Sequence, residues 1–444
     1  MVFLYTLMLW LLLPYVFLRL IWRARKQPEY MHHIGERFGI YSERSDKPVI
    51  WLHAVSVGET RATQSLVNRL LATYPLHRIL LTHTTPTGRA TSEQIYGDKV
   101  MRVYLPYDYP FAVNGFLLHF RPQIGILMET EIWFNLIHAC NMTCTPLLLL
   151  NARMSDKSAQ GYARFALLTR DALSKLSAVA AQTPDDAERL TGLGAKDVSV
   201  MGNLKFDIEP PGAMLELGEQ LRGLLGAKRK VILAASTREG EETLLLDALN
   251  ALHITGLLLV IVPRHPQRFS AVANMLDQRG IPFVRRSEFR LDGKTDSNSP
   301  GSHAVSPEIQ VVLGDSMGEM FAYYASSDLA IIGGSLLPYG GQNLIEACAV
   351  GTPVLVGPYM YNFEEATRLA VLGGAAVQIS DINGFVNEAQ QLLQDGEKLN
   401  GMRHQCIKFV KSNRGATEIS LELVKRHLPA ATHPDSLPPA HSSL

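Results

Sequence analysis

A few acidic and basic residues fall where an α/β chain presents reactive groups. The segment His53-Ala-Val-Ser-Val-Gly-Glu59 closes an apolar run, and a helix is expected to begin near Thr60. Glu59 then sits at a helix N-terminus beside the carboxyl end of a strand, the edge at which open α/β sheets hold their ligands. A carboxylate there can take a proton from an attacking hydroxyl as general base. The helix end should lower its pKa, leaving it ionised but weakly basic. A plain helix cap fits the same position. Glu129 and Glu131 follow the apolar Gln123–Met128; one is expected to turn inward and the other to be solvated. Spacing alone does not choose between them. Glu36, in Gly35-Glu-Arg-Phe-Gly39, is a further candidate, or it only shapes a membrane-facing entrance. Lys205, in Gly202-Asn-Leu-Lys-Phe-Asp207, could neutralise a phosphate or a carboxylate, or be an ordinary surface lysine.

A second set lies further along. Residues 333–358 read GGSLLPYGGQNLIEACAVGTPVLVGP. Glycines at a strand end let a ligand lie against the main chain. The helix expected over Gln342–Ala349 would turn free N–H groups and its positive end toward an anion. Asn343 and Glu346 share one face of that helix, and a carboxylate there can accept hydrogen bonds from two ribose hydroxyls. The stretch suits a sugar nucleotide; a buried βαβ joint with glycines for tight packing is the plainer alternative. Ser236-Thr237 follows another apolar run and could bond a phosphate. Pro263-Arg264-His265-Pro266 holds an arginine between prolines at a strand end, suited to a nucleotide phosphate or base. Gly314-Asp315-Ser-Met-Gly318-Glu319 makes a fourth such loop. Four strand-end loops converging on one sheet edge say more than any one of them.

The elements that must position these residues are legible as alternating apolar runs and amphipathic stretches from Lys47 onward. Strands are expected at Val49–Val55, Arg78–Thr82, Gln123–Met128, Pro146–Leu150, Ala178–Ala181 and Ser199–Met201. After a break around Pro210-Pro211 they resume at Lys230–Ala235, Leu257–Val262, Gln310–Leu313, Leu329–Ile332 and Pro353–Val356. Such alternation implies two α/β, Rossmann-like, doubly wound domains with a cleft between them, as 444 residues require more than one core. Lys plus Arg and Asp plus Glu number 42 each, so no global field favours nucleic acid. Cys140, Cys144, Cys348 and Cys406 are too few for a disulfide framework and have no His pair at zinc spacing, so they read as reduced core residues and no metal site is expected.

Residues 2–18 carry no charge, and Arg19, Arg23, Arg25 and Lys26 follow. As a helix, residues 2–22 would span about 30 Å, one hydrocarbon core. The basic flank on its C-terminal side places the rest of the chain in the cytoplasm, and Pro14 offers a kink. A spanning anchor, a helix lying in the interface and one docked on the protein's own surface all fit. The polar Arg286–Glu308 reads as a surface loop, and the Pro- and Ser-rich tail as disordered. The expected parts are a membrane anchor (1–24), an N-terminal domain (25–208), a C-terminal domain (209–428) and a disordered tail (429–444).

HAVSVGE (53–59), TPTG (85–88), METEIW (128–133), NAR (151–153), GNLKFD (202–207), PRHPQRF (263–269), GDSMGEM (314–320) and GGQNLIEA (340–347) together resemble the 3-deoxy-D-manno-octulosonic acid (Kdo) transferases of lipopolysaccharide synthesis. The likeness runs from the anchor to about residue 425. The last segment alone is similar to the broader B-type (GT-B) glycosyltransferases. The resemblance implies an inverting enzyme of the bacterial inner membrane with its catalytic domains on the cytoplasmic side. It implies a CMP-Kdo donor, a lipid A precursor (lipid IVA) as acceptor, no cofactor, no metal and no obligate protein partner. On it, Glu59 corresponds to the base, Glu129 rather than Glu131 to a second essential acid, and Lys205 to a lysine stabilising developing charge. Arg264, His265, Gly318, Glu319, Met320, Asn343, Ile345 and Glu346 correspond to CMP-contacting positions. Gln342 departs from the pattern, standing where the family usually has His. CMP carries one phosphate, so its departure needs no dication, and no Asp-x-Asp motif sits in a strand-end loop. The rival readings are a UDP-sugar-dependent B-type glycosyltransferase, a non-hydrolysing sugar-nucleotide epimerase and a non-catalytic membrane scaffold.

Overall fold

The computed structural model describes residues 2–289 and 304–428. It divides into two compact units, one formed by the residues up to Asp207 together with those from Arg414 onward, the other by Ile208–Asn413.

The first unit is built on a parallel sheet of β1 (Val49–His53), β2 (Arg78–His83), β3 (Met101–Tyr104), β4 (Ile124–Met128), β5 (Leu147–Ala152), β6 (Ala178–Ala181) and β7 (Val198–Val200). The spatial order is β3-β2-β1-β4-β5-β6-β7. All five residues of β1 are buried, as expected of a parallel strand covered on both faces. Trp51, Leu80, Phe116 and Leu149 fill one side of the sheet; Ile50, Leu66, Leu70 and Leu148 fill the other. The direction of winding reverses between β1 and β4. There the connections leave toward opposite sides, and the carboxyl ends of the two strands open a crevice.

The second unit repeats the architecture with β8 (Lys230–Thr237), β9 (Leu257–Pro263), β10 (Phe283–Arg285), β11 (Val311–Leu313), β12 (Leu329–Ile332), β13 (Val354–Val356) and β14 (Ala376–Gln378). Its order is β10-β11-β9-β8-β12-β13-β14, all parallel, with the reversal between β8 and β12. Both sheets are the doubly wound units expected. Three strands were not anticipated: β3, β10 and β14. Each lies at a sheet edge; β10 and β14 bury few side chains, and β3, though three of its four residues are buried, is a run of four interrupted by Arg102.

The domain limit at residue 428 needs correction. The helix Ala416–His427 belongs to the first unit. Ala416, Leu421, Leu423 and Val424 enter the core that holds Leu66, Val67 and Leu70. Asp207 fixes the return: one carboxylate oxygen accepts the Gly415 N–H at 2.8 Å and the other accepts the Thr417 N–H. The sequence of this helix is amphipathic like its predecessors, and nothing local says which core receives it.

At the other end, Val2–Lys26 is one helix that continues through Pro14. Residues 290–303 of the expected polar loop and the tail from residue 429 lie outside the described residues.

Candidate functional site

Some of the sequence-predicted residues lie on the strands that flank the reversal of each sheet, whereas Lys205 follows the edge strand β7, and Arg264 and Glu319 follow β9 and β11. In the first unit Glu59 follows β1 and Glu129 follows β4, the two strands that flank the reversal. Ser56 caps the helix Val57–Ala62, accepting the Glu59 N–H. The Glu59 side chain turns back over the cap. Its carboxylate accepts the Val55 N–H at 2.8 Å and the Ser56 hydroxyl at 2.9 Å, returning the bond of the cap. So the capping role expected of Glu59 is realised, and its carboxylate stands at the strand end where a general base was expected.

The expected lowering of its pKa is overturned. Burial raises the Glu59 carboxyl to about 7, with the charges of Glu129 and Glu131 adding to the rise. The bonds from Val55 and Ser56 oppose the shift without cancelling it. A six-residue helix offers too small a dipole to win against desolvation.

The loop bearing Glu59 is held from below. His53 and His83 are both fully buried. The Nδ1–H of His83 donates to the Ala54 carbonyl at 2.7 Å and that of His53 to the Thr82 carbonyl at 3.0 Å. Burial keeps both rings neutral, lowering His53 to about 3 and His83 to about 4. The TPTG segment braces the loop from the side. The Thr85 hydroxyl donates to the Val55 carbonyl at 3.0 Å, and a Cβ on Gly88 would meet that same oxygen at 3.0 Å.

Glu129 and Glu131 differ in kind. Glu131 accepts the Trp133 indole N–H at 2.6 Å and lies 3.8 Å from the His53 Nε2; burial raises its pKa. Glu129 has φ +58°, a left-handed conformation that costs a non-glycine residue about 1–3 kcal/mol. Its carboxylate makes no side-chain hydrogen bond among the described residues. Glu36 is instead spoken for, paired with Arg89 at 2.6 Å and accepting the Tyr104 N–H at 2.7 Å.

Lys205 sits half-buried in the turn Leu204–Phe206. A chain of amides aims that turn. Asn151, itself at φ +53°, accepts the Leu204 N–H at 3.1 Å, Gln182 donates to the Asn151 carbonyl, and Asn203 donates to Gln182. Gln182 had drawn no attention in the sequence; its position one residue beyond β6 was the available signal.

In the second unit Ser236 is the next-to-last residue of β8 and Gly333-Gly334 follows β12, again the pair flanking the reversal. Ser236 is left-handed at φ +60°. A Cβ on Gly333 would meet its carbonyl oxygen at 2.3 Å, so the two main chains can approach only because position 333 is glycine. Thr237 is 1% exposed and its hydroxyl donates to Glu242, which leaves it a buried support rather than a phosphate contact. Arg264 is half-buried, and its Nε–H donates to the Gln342 amide oxygen at 3.1 Å. Gln342 thereby orients the guanidinium. His265 is exposed beside it, its pKa lowered by partial desolvation and by the charges of Arg238, Arg264 and Arg268. That basic group matches an anionic ligand.

Gly318 has φ +81° with open space where a side chain would be. Glu319 is fixed by Arg286 at 2.9 Å and by the Ser316 hydroxyl, and the Met320 sulfur lies 3.9 Å from Ser236 Oγ. The helix expected at Gln342 begins only at Ile345 and runs to Ala349. Asn343 Oδ1 accepts the Ile345 N–H at 3.0 Å and so starts the helix late. Five residues carry little macrodipole, so charge here comes from the arginines. Asn343 does reach Glu346, at 3.2 Å, as their spacing implied. Ile345 is fully buried, and its side chain belongs to the core.

Two residues missed in the sequence organise this half. Glu241 and Glu242 are fully buried. Glu241 accepts the N–H groups of Arg238 (2.9 Å), Gly334 (2.6 Å) and Leu336 (3.0 Å). Glu242 receives Thr237 and Arg268. As the first residues of a helix they read as surface acids.

The family model for 3-Deoxy-D-manno-octulosonic-acid transferase (kdotransferase) matches residues 32–208. A 3-deoxy-D-manno-octulosonic acid transferase of Bordetella pertussis is 40% identical over 436 residues, 95% of this chain and 98% of that one. Its counterpart in Haemophilus influenzae is 34% identical over 96% of this chain and 98% of the relative. Among solved structures, the Neisseria meningitidis UDP-GlcNAc 2-epimerase bound to UDP-GlcNAc is similar with a TM-score of 0.56 at 16% identity, covering 85% of this chain and all of that one; the likeness shows a shared two-domain fold of the GT-B kind. With conserved length, two relatives above 30% identity and the expected α/β halves, this chain is a glycosyltransferase that belongs to the 3-deoxy-D-manno-octulosonic acid (Kdo) transferase family.

Proposed function

We propose that the chain moves Kdo from CMP-Kdo to a hydroxyl of the lipid A precursor lipid IVA, with inversion and without a metal, in lipopolysaccharide synthesis at the cytoplasmic face of the inner membrane. The observation that carries this reading is Glu59: a carboxyl at the switch point of the first sheet, poised near neutrality by burial and by two neighbouring acids. In the proposed step the acceptor hydroxyl oxygen bonds to the ketosidic carbon of Kdo while the bond from that carbon to the CMP phosphate oxygen breaks. The hydroxyl proton passes to Glu59. The electron pair leaves with CMP, whose phosphate gains negative charge. Arg264 and Lys205 supply opposing charge. Glu129 keeps Glu59 basic and is itself available to a substrate amide or hydroxyl. The second unit binds CMP through Arg264, His265, Ser236 and the main chain at Gly318, Glu319 and Met320. Asn343 and Glu346 take the ribose, as a carboxylate can accept from two vicinal hydroxyls.

The test is incubation of the purified chain with CMP-Kdo and lipid IVA, measuring CMP release and the mass of the lipid. Release that depends on lipid, with a product heavier by Kdo, is expected. Release with UDP-GlcNAc instead, or turnover that needs no acceptor, would sink the assignment.

A pH dependence follows with a fixed sign. The base works ionised, and burial raises its pKa to about 7. Activity should therefore fall as pH drops through about 7, roughly tenfold per pH unit below it. A flat profile from pH 5 to 8 would show that Glu59 is not the titrating base. Glu129→Gln removes a charge that raises Glu59, so any residual activity should carry its acid limb at lower pH.

A further inference from the structure

The helix Val2–Lys26 is apolar on every side, which by composition alone fits a membrane crossing. Its contacts give a different account. Val2, Tyr5, Leu9, Leu13, Val16 and Leu20 form the less exposed stripe, spaced three or four residues apart along the whole helix. The helix touches the rest of the first unit near both of its ends. The Tyr5 hydroxyl donates to Asp108 at 2.9 Å, and the Thr6 hydroxyl donates to Asn135 at 2.9 Å. Asp108 is 4% exposed and also accepts the N–H groups of Asn135 and Leu136. The Tyr109 hydroxyl donates to the Leu9 carbonyl at 2.8 Å. Near the other end, Phe17 stacks on Phe38 at 5.2 Å and Leu20 is 4% exposed.

A helix crossing a bilayer would carry Tyr5 about 20 Å away from Leu20 along the membrane normal. The body that binds Leu20 would then have to follow it through the hydrocarbon. The opposite stripe, Leu4, Leu7, Leu11, Tyr15, Leu18 and Trp22, is exposed and apolar. One side of the helix is thus covered by protein, and the other needs a non-aqueous partner. Pro14 lacks an N–H, so the Trp10 carbonyl has no donor four residues on. Water at an interface supplies one, and the hydrocarbon centre does not. Arg19, Arg25 and Lys26 are exposed at the C-terminal end, with Lys26 4.8 Å over the Trp22 ring, a set suited to anionic headgroups.

We propose that this helix lies in the plane of one leaflet, clamped to the first unit along one side and sunk into the acyl boundary by the other, and does not cross the membrane. The inference rests on the membrane localisation of the proposed function and specifies how the surface is met. It also accounts for all-round apolarity: protein takes one face, lipid the other.

The test uses the full chain with its four cysteines replaced by serine and a single cysteine at Leu4, Leu11 or Leu18. Each variant is spin-labelled on phosphatidylethanolamine–phosphatidylglycerol vesicles, and label depth is read by power saturation. Flat docking predicts three depths within about 5 Å of each other, all shallow. Depths that step by roughly 10 Å per seven residues, passing the midplane, would overturn the proposal, as would failure to bind the vesicles. A second arm keeps every native residue and adds an N-terminal tag. In inside-out vesicles a protease should remove that tag together with the C-terminal tail; a protected tag refutes flat docking. Kdo transfer is assayed on the same preparations. Labels lying flat on a chain that transfers no Kdo would count against the activity and not against the helix.

Discussion

Glu59→Gln should lower turnover by on the order of 10²- to 10⁴-fold, the usual contribution of a positioned general base, while CMP binding to the second unit is unchanged. The side chain has a second task, because it accepts the Val55 N–H and the Ser56 hydroxyl. Glutamine keeps one acceptor oxygen, so the local cap weakens by about 1 kcal/mol without being lost. The loss of rate must therefore be separated from a loss of fold. Ser56→Ala does this. It removes the same hydroxyl from the cap but leaves the carboxylate. The Ser56 bond lowers the Glu59 pKa, so its removal should move the acid limb of the pH profile upward while turnover on the plateau stays near that of the parent. A capping role alone predicts similar losses for the two variants and no movement of the profile. Isothermal titration with CMP, thermal melting and the pH dependence of Kdo transfer together decide it. If Glu59→Gln retains more than about a tenth of the parent rate, the proton goes elsewhere.

The framework that sets Glu59 in place was legible, because parallel strands buried on both faces leave continuous apolar runs. β6 and β12 lie where the sequence put them, residue for residue, at Ala178–Ala181 and Leu329–Ile332. Strand ends were legible for the same reason: the run stops and glycine, serine or a charged residue begins. Three of the four edge strands escaped. All three residues of β10 are only half-buried, and β14 buries only its first, so neither writes a clear run. The late start of the helix at Ile345 escaped because an asparagine side chain captured the N–H that would have begun it. The Glu59 pKa was read with the wrong sign. Sequence position shows a helix end but not how much water the carboxylate loses, and desolvation was the larger effect. Ownership of the last helix was also invisible. It depends on Asp207, more than 200 residues away in the chain, accepting the N–H groups of Gly415 and Thr417.

Glu241 is the other residue whose replacement should have a large effect, and it touches neither reactant in the proposed scheme. It is fully buried and gathers the N–H groups of Arg238, Gly334 and Leu336, tying the loop after β8 to the glycine loop after β12. Burial raises its pKa, while these backbone bonds favour the ionised form. Glu241→Gln keeps the shape but turns an amide NH2 toward a backbone N–H, leaving at least one donor unmatched in the interior. Each such donor costs about 1–3 kcal/mol. Because Gly334 and Leu336 follow directly on the close approach of Gly333 to Ser236, that free energy should be relieved by letting the glycine loop move. The expected result is a lower melting temperature together with a rise in the CMP-Kdo KM on the order of 10-fold to 100-fold, with kcat at saturation falling much less. The split distinguishes a positioning role from a purely structural one. A variant that melts earlier yet binds CMP with the parent affinity, at a temperature where it is fully folded, would mean that the carboxylate stabilises the unit and does nothing for the donor.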